Sequence, residues 1–409
     1  MNLPVWTLAA VLVLIAFRRL GGLRLGIWQI VLGGALVVFL TGSIGWEATW
    51  RAIDWEVIGF LFGVFVLGQA LTESGLLARA STRLLGGIRS ADGLVLGVLF
   101  GSGIASALLM NDTLAVIGTP LMLALARAHR LPCLLLLLAL AFGITTGSVM
   151  SPIGNPQNLL VALHGGLENP FTDFFGTLTL PTLINLVLAW AVLRLAFWRD
   201  FHGDALVHDL PPLADPGLAR LAAWGLLAIG LVIALMVALA ALGAAIEVPL
   251  WAVAAAACVP VLMVSPGRLG LVARIDWHTL VFFAALFVLV RSVWDTGVVQ
   301  AWLPVDGGWA KDVPVLLAGS AVLSQLVSNV PLVALALPVM HTMGSSPEAL
   351  LALAAGSTIA GNLTLVGAAS NVIVAQAAER RGEHLGFWRF LAIGAPLTCL
   401  QLLVYWVML

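Results

Sequence analysis

Two apolar runs in this 409-residue chain, Gly93 to Arg127 and Val313 to Met343, fit no simple path across a bilayer. A helix needs roughly 20 residues to cross a hydrocarbon core of about 30 Å, so each run is too long for one crossing and too short for two. Each also holds a polar cluster at its middle, Asn111-Asp112-Thr113 in the first and Ser328-Asn329-Val330-Pro331 in the second. Non-helical backbone at that depth must be buried in protein or line a wet cavity. Both facts are met by two re-entrant helical hairpins whose tips lie near mid-membrane.

The rest of the chain agrees with a polytopic membrane protein. Apolar residues make up 61% and charged residues 10%, with a mean hydropathy of +1.08. A soluble domain carries about 25% charged residues, so a water-soluble globule is excluded. The net charge of −1 gives no field that would hold nucleic acid. Cys133, Cys258 and Cys399 lie far apart in apolar runs, without the spacing of a disulfide framework or a structural metal site. Single spans fit Leu3 to Phe17, Leu25 to Thr41, Trp55 to Thr72, Leu178 to Phe197, Leu218 to Leu242, Val248 to Val264, Trp277 to Trp294 and Phe387 to Met408. The first reads as a retained span, because Arg18 and Arg19 follow the apolar stretch instead of preceding it.

Two more runs, Cys133 to Leu163 and Ala349 to Ala378, would each be roughly 45 Å long as unbroken helices. Both carry breakers at their centres: Gly147, Pro152, Gly154 and Pro156 in one, Gly361, Asn362 and Gly367 in the other. They are expected to be crossings unwound at the middle. The fold class is therefore all-α, with about ten transmembrane helices, of which two are discontinuous, and two re-entrant hairpins.

Basic residues fix the orientation. With the N-terminus outside, one side collects Arg18, Arg19, Arg24, Arg79, Arg83, Arg89, Arg127, Arg130, Arg194, Arg199, Arg220, Arg268, Arg274, Arg380, Arg381 and Arg389, and the other keeps Arg51, Arg291 and Lys311. The rich side is cytoplasmic by the positive-inside rule, and both termini fall outside.

The chain also matches itself. Ile53-Asp54-Trp55 up to Thr72-Glu73-Ser74-Gly75 pairs with Ile275-Asp276-Trp277 up to Trp294-Asp295-Thr296-Gly297; Asn111, Pro120 and Met122 pair with Asn329, Pro338 and Met340; Gly154, Asn158 and Ala162 pair with Gly367, Asn371 and Ala375. The charge count gives the matched elements opposite orientation. The expected organisation is a first repeat over 1–199, with hairpin 93–127 and broken helix 133–163, a cytoplasmic linker over 200–217, and a second, inverted repeat over 218–409, with hairpin 313–343 and broken helix 349–378. Inverted repeats with breaks at matching positions point to a secondary transporter with a midplane site. Glycine and proline that serve packing alone would explain one break better than four in two matched pairs.

Asp112 is the acid placed deepest, at the first tip, and an intramembrane carboxylate is a functional candidate by default. The plainer reading is a helix cap, since Asp is a favoured N-cap residue. The unwound centres offer Thr145, Thr146, Ser148, Ser151, Gly154, Asn155, Gln157 and Asn158 in one repeat, and Ser357, Thr358, Asn362, Thr364, Gly367, Ser370 and Asn371 in the other. Amides, hydroxyls and freed carbonyls suit Na+, while helix N-termini aimed at the same place suit an anion. These groups also satisfy backbone opened by the breaks. Catalysis has no foothold: a second deeply placed Asp, an HExxH motif and a mid-span histidine are all missing from the sequence.

Asn111-Asp112-Thr113 through Thr119-Pro120, Ser151-Pro152-Ile153-Gly154-Asn155-Pro156-Gln157-Asn158, and Ala360-Gly361-Asn362-Leu363-Thr364-Leu365-Val366-Gly367-Ala368-Ala369-Ser370-Asn371 resemble the ion transporter superfamily. That group holds the arsenite permeases, a class of Na+/H+ antiporters, the citrate and divalent-anion sodium symporters, and uncharacterised bacterial permeases of the citrate-transporter-like family. The resemblance implies an elevator mechanism, in which a transport domain carrying both hairpins and both broken helices moves against a scaffold, often in a homodimer. In sodium-dicarboxylate members each tip carries Ser-Asn-Thr, which helps bind Na+ and carboxylate. Here Asn111-Asp112-Thr113 and Ser328-Asn329-Val330 occupy those places, and an acidic first tip is more similar to the arsenite permease and antiporter branches.

The expected function is a secondary active transporter of a small anion or metalloid oxyacid in the bacterial cytoplasmic membrane. It would be coupled to H+ or Na+ through Asp112, with Na+ held at Asn111, Asp112 and Asn158. The alternative is a Na+/H+ antiporter. Expected partners are the lipid bilayer, the small ion and a second copy of the chain, with no nucleic acid and no cofactor beyond the coupling ion.

Overall fold

A helix that is apolar on every side has to be enclosed by other helices, and two such segments form the centre of this fold. The computed structural model describes residues 2–409 apart from 18, 21–22, 25, 77–78, 81–82, 84–87, 89, 202–213, 243–248, 299–307 and 366. Arg18, Arg89, most of the expected linker and the span starts expected at Leu25 and Val248 lie outside the described residues. The helices are α1 (Leu3–Phe17), α2 (Ile27–Leu40), α3 (Trp46–Ala52), α4 (Trp55–Glu73), α5 (Ala91–Leu108), α6 (Asn111–Ala128), α7 (Cys133–Ser148), α8 (Pro156–His164), α9 (Pro170–Ala196), α10 (Pro216–Ala241), α11 (Leu250–Val264), α12 (Arg268–Ala273), α13 (Trp277–Trp294), α14 (Val313–Val327), α15 (Asn329–Thr342), α16 (Pro347–Ile359), α17 (Ala369–Glu379) and α18 (Phe387–Met408).

Six described helices are long and apolar enough to cross a membrane: α4, α5, α9, α10, α13 and α18. The all-helical expectation holds apart from one two-residue ladder, Arg19–Leu20 against Leu23–Arg24. Two boundaries differ from expectation. α9 begins at Pro170, not near Leu178, because Pro170 opens the helix and its first turns are too polar to count as span. The short helices α3 and α12 lie in loops, where apolar run length gives no signal.

The packing sorts the helices into two groups. α1, α2, α4, α10, α11 and α13 pack among themselves, and α5 to α9 pack with α14 to α18. α7 and α16 are the enclosed centre of the second group, buried from Leu135 to Ser148 and from Ala349 to Ile359. Close approach there requires glycine. A Cβ on Gly143 would meet Ser102 Oγ and the Leu99 carbonyl, and a Cβ on Gly356 would meet Ser320 Oγ and the Leu317 carbonyl. Gly143 and Gly356 each stand 11 residues before the paired Gly154 and Gly367, and Ser102 and Ser320 each nine before the paired Asn111 and Asn329, so the two contacts correspond.

Helical geometry is interrupted at four points in these two groups of segments. α5 and α6 are joined by Leu109 and Met110, each in extended backbone. α14 and α15 are joined by Ser328 alone, at φ 71° and ψ 155°, a region that side chains other than glycine's rarely adopt. α7 stops at Ser148 and the chain resumes as α8 at Pro156. α16 tightens into a 3-10 turn over Ala360–Asn362 before α17.

Candidate functional site

Backbone opened by a break has to find its hydrogen bonds elsewhere, and this need employs most polar side chains near the centre. In the first break Asn158 Nδ2 lies 3.0 Å from the carbonyls of Ser148 and Ser151 and 3.3 Å from that of Val149, while its Oδ1 accepts from Thr358 Oγ1 at 3.2 Å. Asn155 caps α8, accepting from Asn158 N at 2.9 Å and donating to Ser148 Oγ at 3.0 Å and Thr358 Oγ1 at 3.2 Å. In the second break Asn371 Nδ2 donates to the Gly361 carbonyl at 2.6 Å. Gln325 of α14 donates to the Ala360 carbonyl and accepts from Thr364 Oγ1, both at 2.7 Å. Asn362 donates to Thr146 Oγ1 at 3.0 Å and to Gln401 Oε1 at 2.8 Å. Gly154 and Gly367 allow close chain approach, since a Cβ would lie 2.6 Å from the Ser148 carbonyl and 2.8 Å from the Ala360 carbonyl respectively. Ser151 Oγ accepts from Ile153 N at 3.3 Å. Thr113 packs on Gly68 of α4. Thr146, Ser148, Ser151, Asn158, Asn362, Thr364 and Asn371 thus hold the unwound chain.

The other candidates meet around a cavity of about 450 Å³. Asn111 and Asp112 of α6, Asn155 and Gln157 of α8, Ser328 and Asn329 at the second tip, and Ser370 of α17 line it; Trp28 of α2 and Asp276, His278 and Thr279 of α13 face them. Four helices therefore begin at this cavity, which brings four positive dipole ends together. Of the four, α8 alone has a side-chain cap; α6, α15 and α17 have none. Their first N–H groups are left for water or a ligand. Among the described residues no Lys or Arg lines the cavity.

Asp112 lies in the first turn of α6, whose N-cap is Met110, so it is not the cap. It is partly buried and has neither a hydrogen bond nor an ion pair with the described residues. Asn111 is fixed beside it: its amide lies 3.2 Å from the carbonyls of Ile144 and Gly154 and from Ser148 Oγ. The buried oxygens Asn329 Oδ1, Ser370 Oγ and Asn371 Oδ1 have no partner.

Asp276 supplies a second carboxylate to the cavity. In sequence it looks like an ordinary span-end cap, and it does cap α13, accepting from Thr279 N at 3.1 Å and Thr279 Oγ1 at 2.6 Å. Its match to Asp54 in the other repeat is the signal that marks it out. His278 is held by a stacked Trp28 with ring centroids 4.8 Å apart.

A second cavity, of about 440 Å³, lies at the far end of α8 and is lined in part by Asp54, His164, Arg291 and His341. Asp54 caps α4, accepting from Glu56 N at 2.9 Å and Val57 N at 3.0 Å. It also lies 2.7 Å from His164 Nε2. Burial pushes the Asp54 carboxyl up, but the His164 and backbone hydrogen bonds outweigh it and hold the group below the usual carboxylate range.

A family model described as "Citrate transporter" matches residues 12–349. The chain belongs to the citrate transporter family. Its similarity to family relatives is spread over most of the sequence. An uncharacterized transporter of Mycobacterium tuberculosis is 29% identical over 86% of this chain and 84% of its own. A silicon efflux transporter of Oryza sativa subsp. japonica is 26% identical over 89% of this chain and 88% of its own. Among solved structures, the YdaH transporter of Alcanivorax borkumensis aligns with 99% of this chain over 96% of its own, at a TM-score of 0.59 and 18% identity, a likeness of fold. The expected kinship with the ion transporter superfamily is borne out, and this citrate transporter family member is a helical, multi-pass membrane transporter.

Proposed function

We propose that this transporter exchanges H+ for a small hydroxylated oxyacid in its undissociated form, by alternating access in a fold built from two inverted repeats. The observation that carries the reading is the cavity itself: four helix N-termini, three of them uncapped, surround an unpartnered Asp112, and no Lys or Arg of the described chain lines it. A multiply charged anion such as citrate would face two carboxylates, Asp112 and Asp276, with no Lys or Arg among the described lining residues to balance its charge. A neutral oxyacid fits both halves of this chemistry. Its oxygens accept from the free N–H groups, and a hydroxyl donates to ionised Asp112. A proton on Asp112 occupies one carboxylate oxygen and takes away the charge that strengthens the other as an acceptor, so solute and proton compete for one group, which is the condition for exchange. The similarity to a silicon efflux transporter supports a solute of this class.

Alternating access is supported by the packing. α6, α8, α15 and α17 form one wall of the central cavity, and α2 with α13 forms the other. α8 and α15 also wall the far cavity, again opposite α13. A shift of the first wall along the second would open one cavity and close the other, the elevator motion that the resemblance implies. With the basic end cytoplasmic, this conformation faces inward. The unpartnered oxygens of Asn329 and Ser370, both of which line the cavity, are acceptors that would take Na+ but not a proton.

The second reading is a Na+/H+ antiporter, and the observation in its favour is the second carboxylate, Asp276. Proteoliposomes holding a pH dye separate the two. Gradients of silicic acid or arsenous acid are expected to drive proton movement in wild type and to fail by at least about 10-fold in Asp112→Asn. Proton flux driven by Na+ alone would establish the antiporter, and flux driven by citrate would overturn the neutral-solute reading.

A further inference from the structure

The two helix groups face each other across both cavities, yet among the described residues an ion pair joins them at one place. Of the ion pairs between described residues, Glu73–Arg274 lies within the first helix group, and Arg127–Glu383 and Arg194–Asp92 lie within the second. Arg51–Glu47, Arg291–Asp295 and His384–Glu379 are local. The remaining pair, Asp54–His164 at 2.7 Å, crosses from the first group to the second.

Each partner is fixed to its own helix group. Asp54 is held on α4 by the two backbone amides that it caps. His164 is the last residue of α8, a nine-residue helix whose other end carries Asn155 and Gln157 into the central cavity. A rod of that length, about 13 Å, ties the pair to the site without an intervening loop. The pair stands at the rim of the far cavity and joins the two helix groups, so a shift of one group along the other has to part it.

We propose that Asp54 and His164 form a proton-sensitive outer latch, which holds the transporter closed on this side and releases as the external pH rises. The inference rests on the alternating-access part of the function above and is independent of the solute. The sign follows from the charges. The pair is an ion pair while Asp54 is ionised and His164 is protonated, so loss of the imidazole proton removes the charge that holds it. Closure is therefore strongest in mild acid and weakens on going alkaline. At the acid limit it is lost again as Asp54, held below the usual carboxylate range, takes up a proton. The other charged or titratable groups at this end include Arg291 on α13 and His341 on α15, which line the same cavity, Glu47 and Arg51 on α3, Glu348 in the first turn of α16, and Glu168 and Asp173, which follow His164 in the chain and lie near Glu348. Arg291 is engaged by Asp295 at 2.9 Å, which leaves His341 as the competing sensor to test.

The test measures the opening itself, without solute. Spin labels at Trp50→Cys and Thr342→Cys, in full-length protein whose three native cysteines are replaced by alanine, report the distance across the far cavity by pulsed electron resonance. In the wild-type background the ratio of short to long distances should fall about two- to five-fold between pH 5.5 and pH 8, the range of a partly exposed ion pair. His164→Gln and Asp54→Asn should remove the pH dependence and favour the long distance. His164→Arg, charged at every pH used, should stay short and flat, and a folded, closed protein in that variant separates the latch from simple misfolding. His341→Gln should titrate like wild type. A ratio indifferent to pH in the wild-type background, a His164→Gln profile like wild type, or an open His164→Arg overturns the proposal. Failure of the silicic acid and arsenous acid assay leaves these distances unaffected, so the two readings fall separately.

Discussion

Asn158 and Asn371 occupy matched positions in the two repeats, and the structure predicts that they are not equivalent. Asn158 has two N–H protons shared among three carbonyls and an Oδ1 that accepts from Thr358, the equivalent of three hydrogen bonds. Asn371 donates to one carbonyl, and its Oδ1 has no partner. Side-chain hydrogen bonds inside membrane proteins average ~0.6 kcal/mol, against ~1 kcal/mol for folded proteins in general. Asn158→Ala should therefore cost about 2–3 kcal/mol and Asn371→Ala about 0.6–1 kcal/mol. The difference, of order 1.5–2 kcal/mol, corresponds to at least a 10-fold ratio of unfolding constants. Reversible unfolding of the purified protein in mixed micelles, titrated with a denaturing detergent, resolves this. Losses equal to within about 0.5 kcal/mol, or a larger loss at Asn371, would refute the assignment of Asn158 to backbone repair.

Two further outcomes follow from backbone geometry. Ser328 turns the second tip alone at φ 71°, so Ser328→Gly should raise the unfolding midpoint by the equivalent of about 1 kcal/mol, whereas Ser328→Ala should give no gain. A Cβ on Gly147 would run into the Gly103 backbone, while one on Gly101 meets open space; Gly147→Ala should lose about 1–3 kcal/mol and Gly101→Ala should be neutral or slightly stabilising, read by the same unfolding titration.

The breaks and tips were legible because they violate local rules: Gly147, Pro156 and Gly361 interrupt runs that would otherwise be plain helices, and Asp112 is out of place in an apolar stretch. The cavity's other wall was not legible. Trp28, Asp276 and His278 are ordinary residues for the start of a span, and only the packing of α2 and α13 against the tips gives them a role. Gln401 and Asn185 carried a signal, an amide in the middle of an apolar span. They sit where α9 crosses α18, each donating to the other's carbonyl, at 3.4 Å and 3.3 Å. Sequence could say that polar groups gather near the breaks. Which of them face the cavity and which repair backbone depended on side-chain directions that spacing does not encode.

The three uncapped helix starts set a rule for the order of events. With solute gone, their amide hydrogens have water as their remaining partner, and sealing them dry would strand donors at about 1–3 kcal/mol apiece. On the proposed exchange cycle, the solute-loaded carrier is thus the faster to cross, and the solute-free return with protonated Asp112 is the slow half. Slippage is suppressed by the geometry of three helix ends, before any gate is considered.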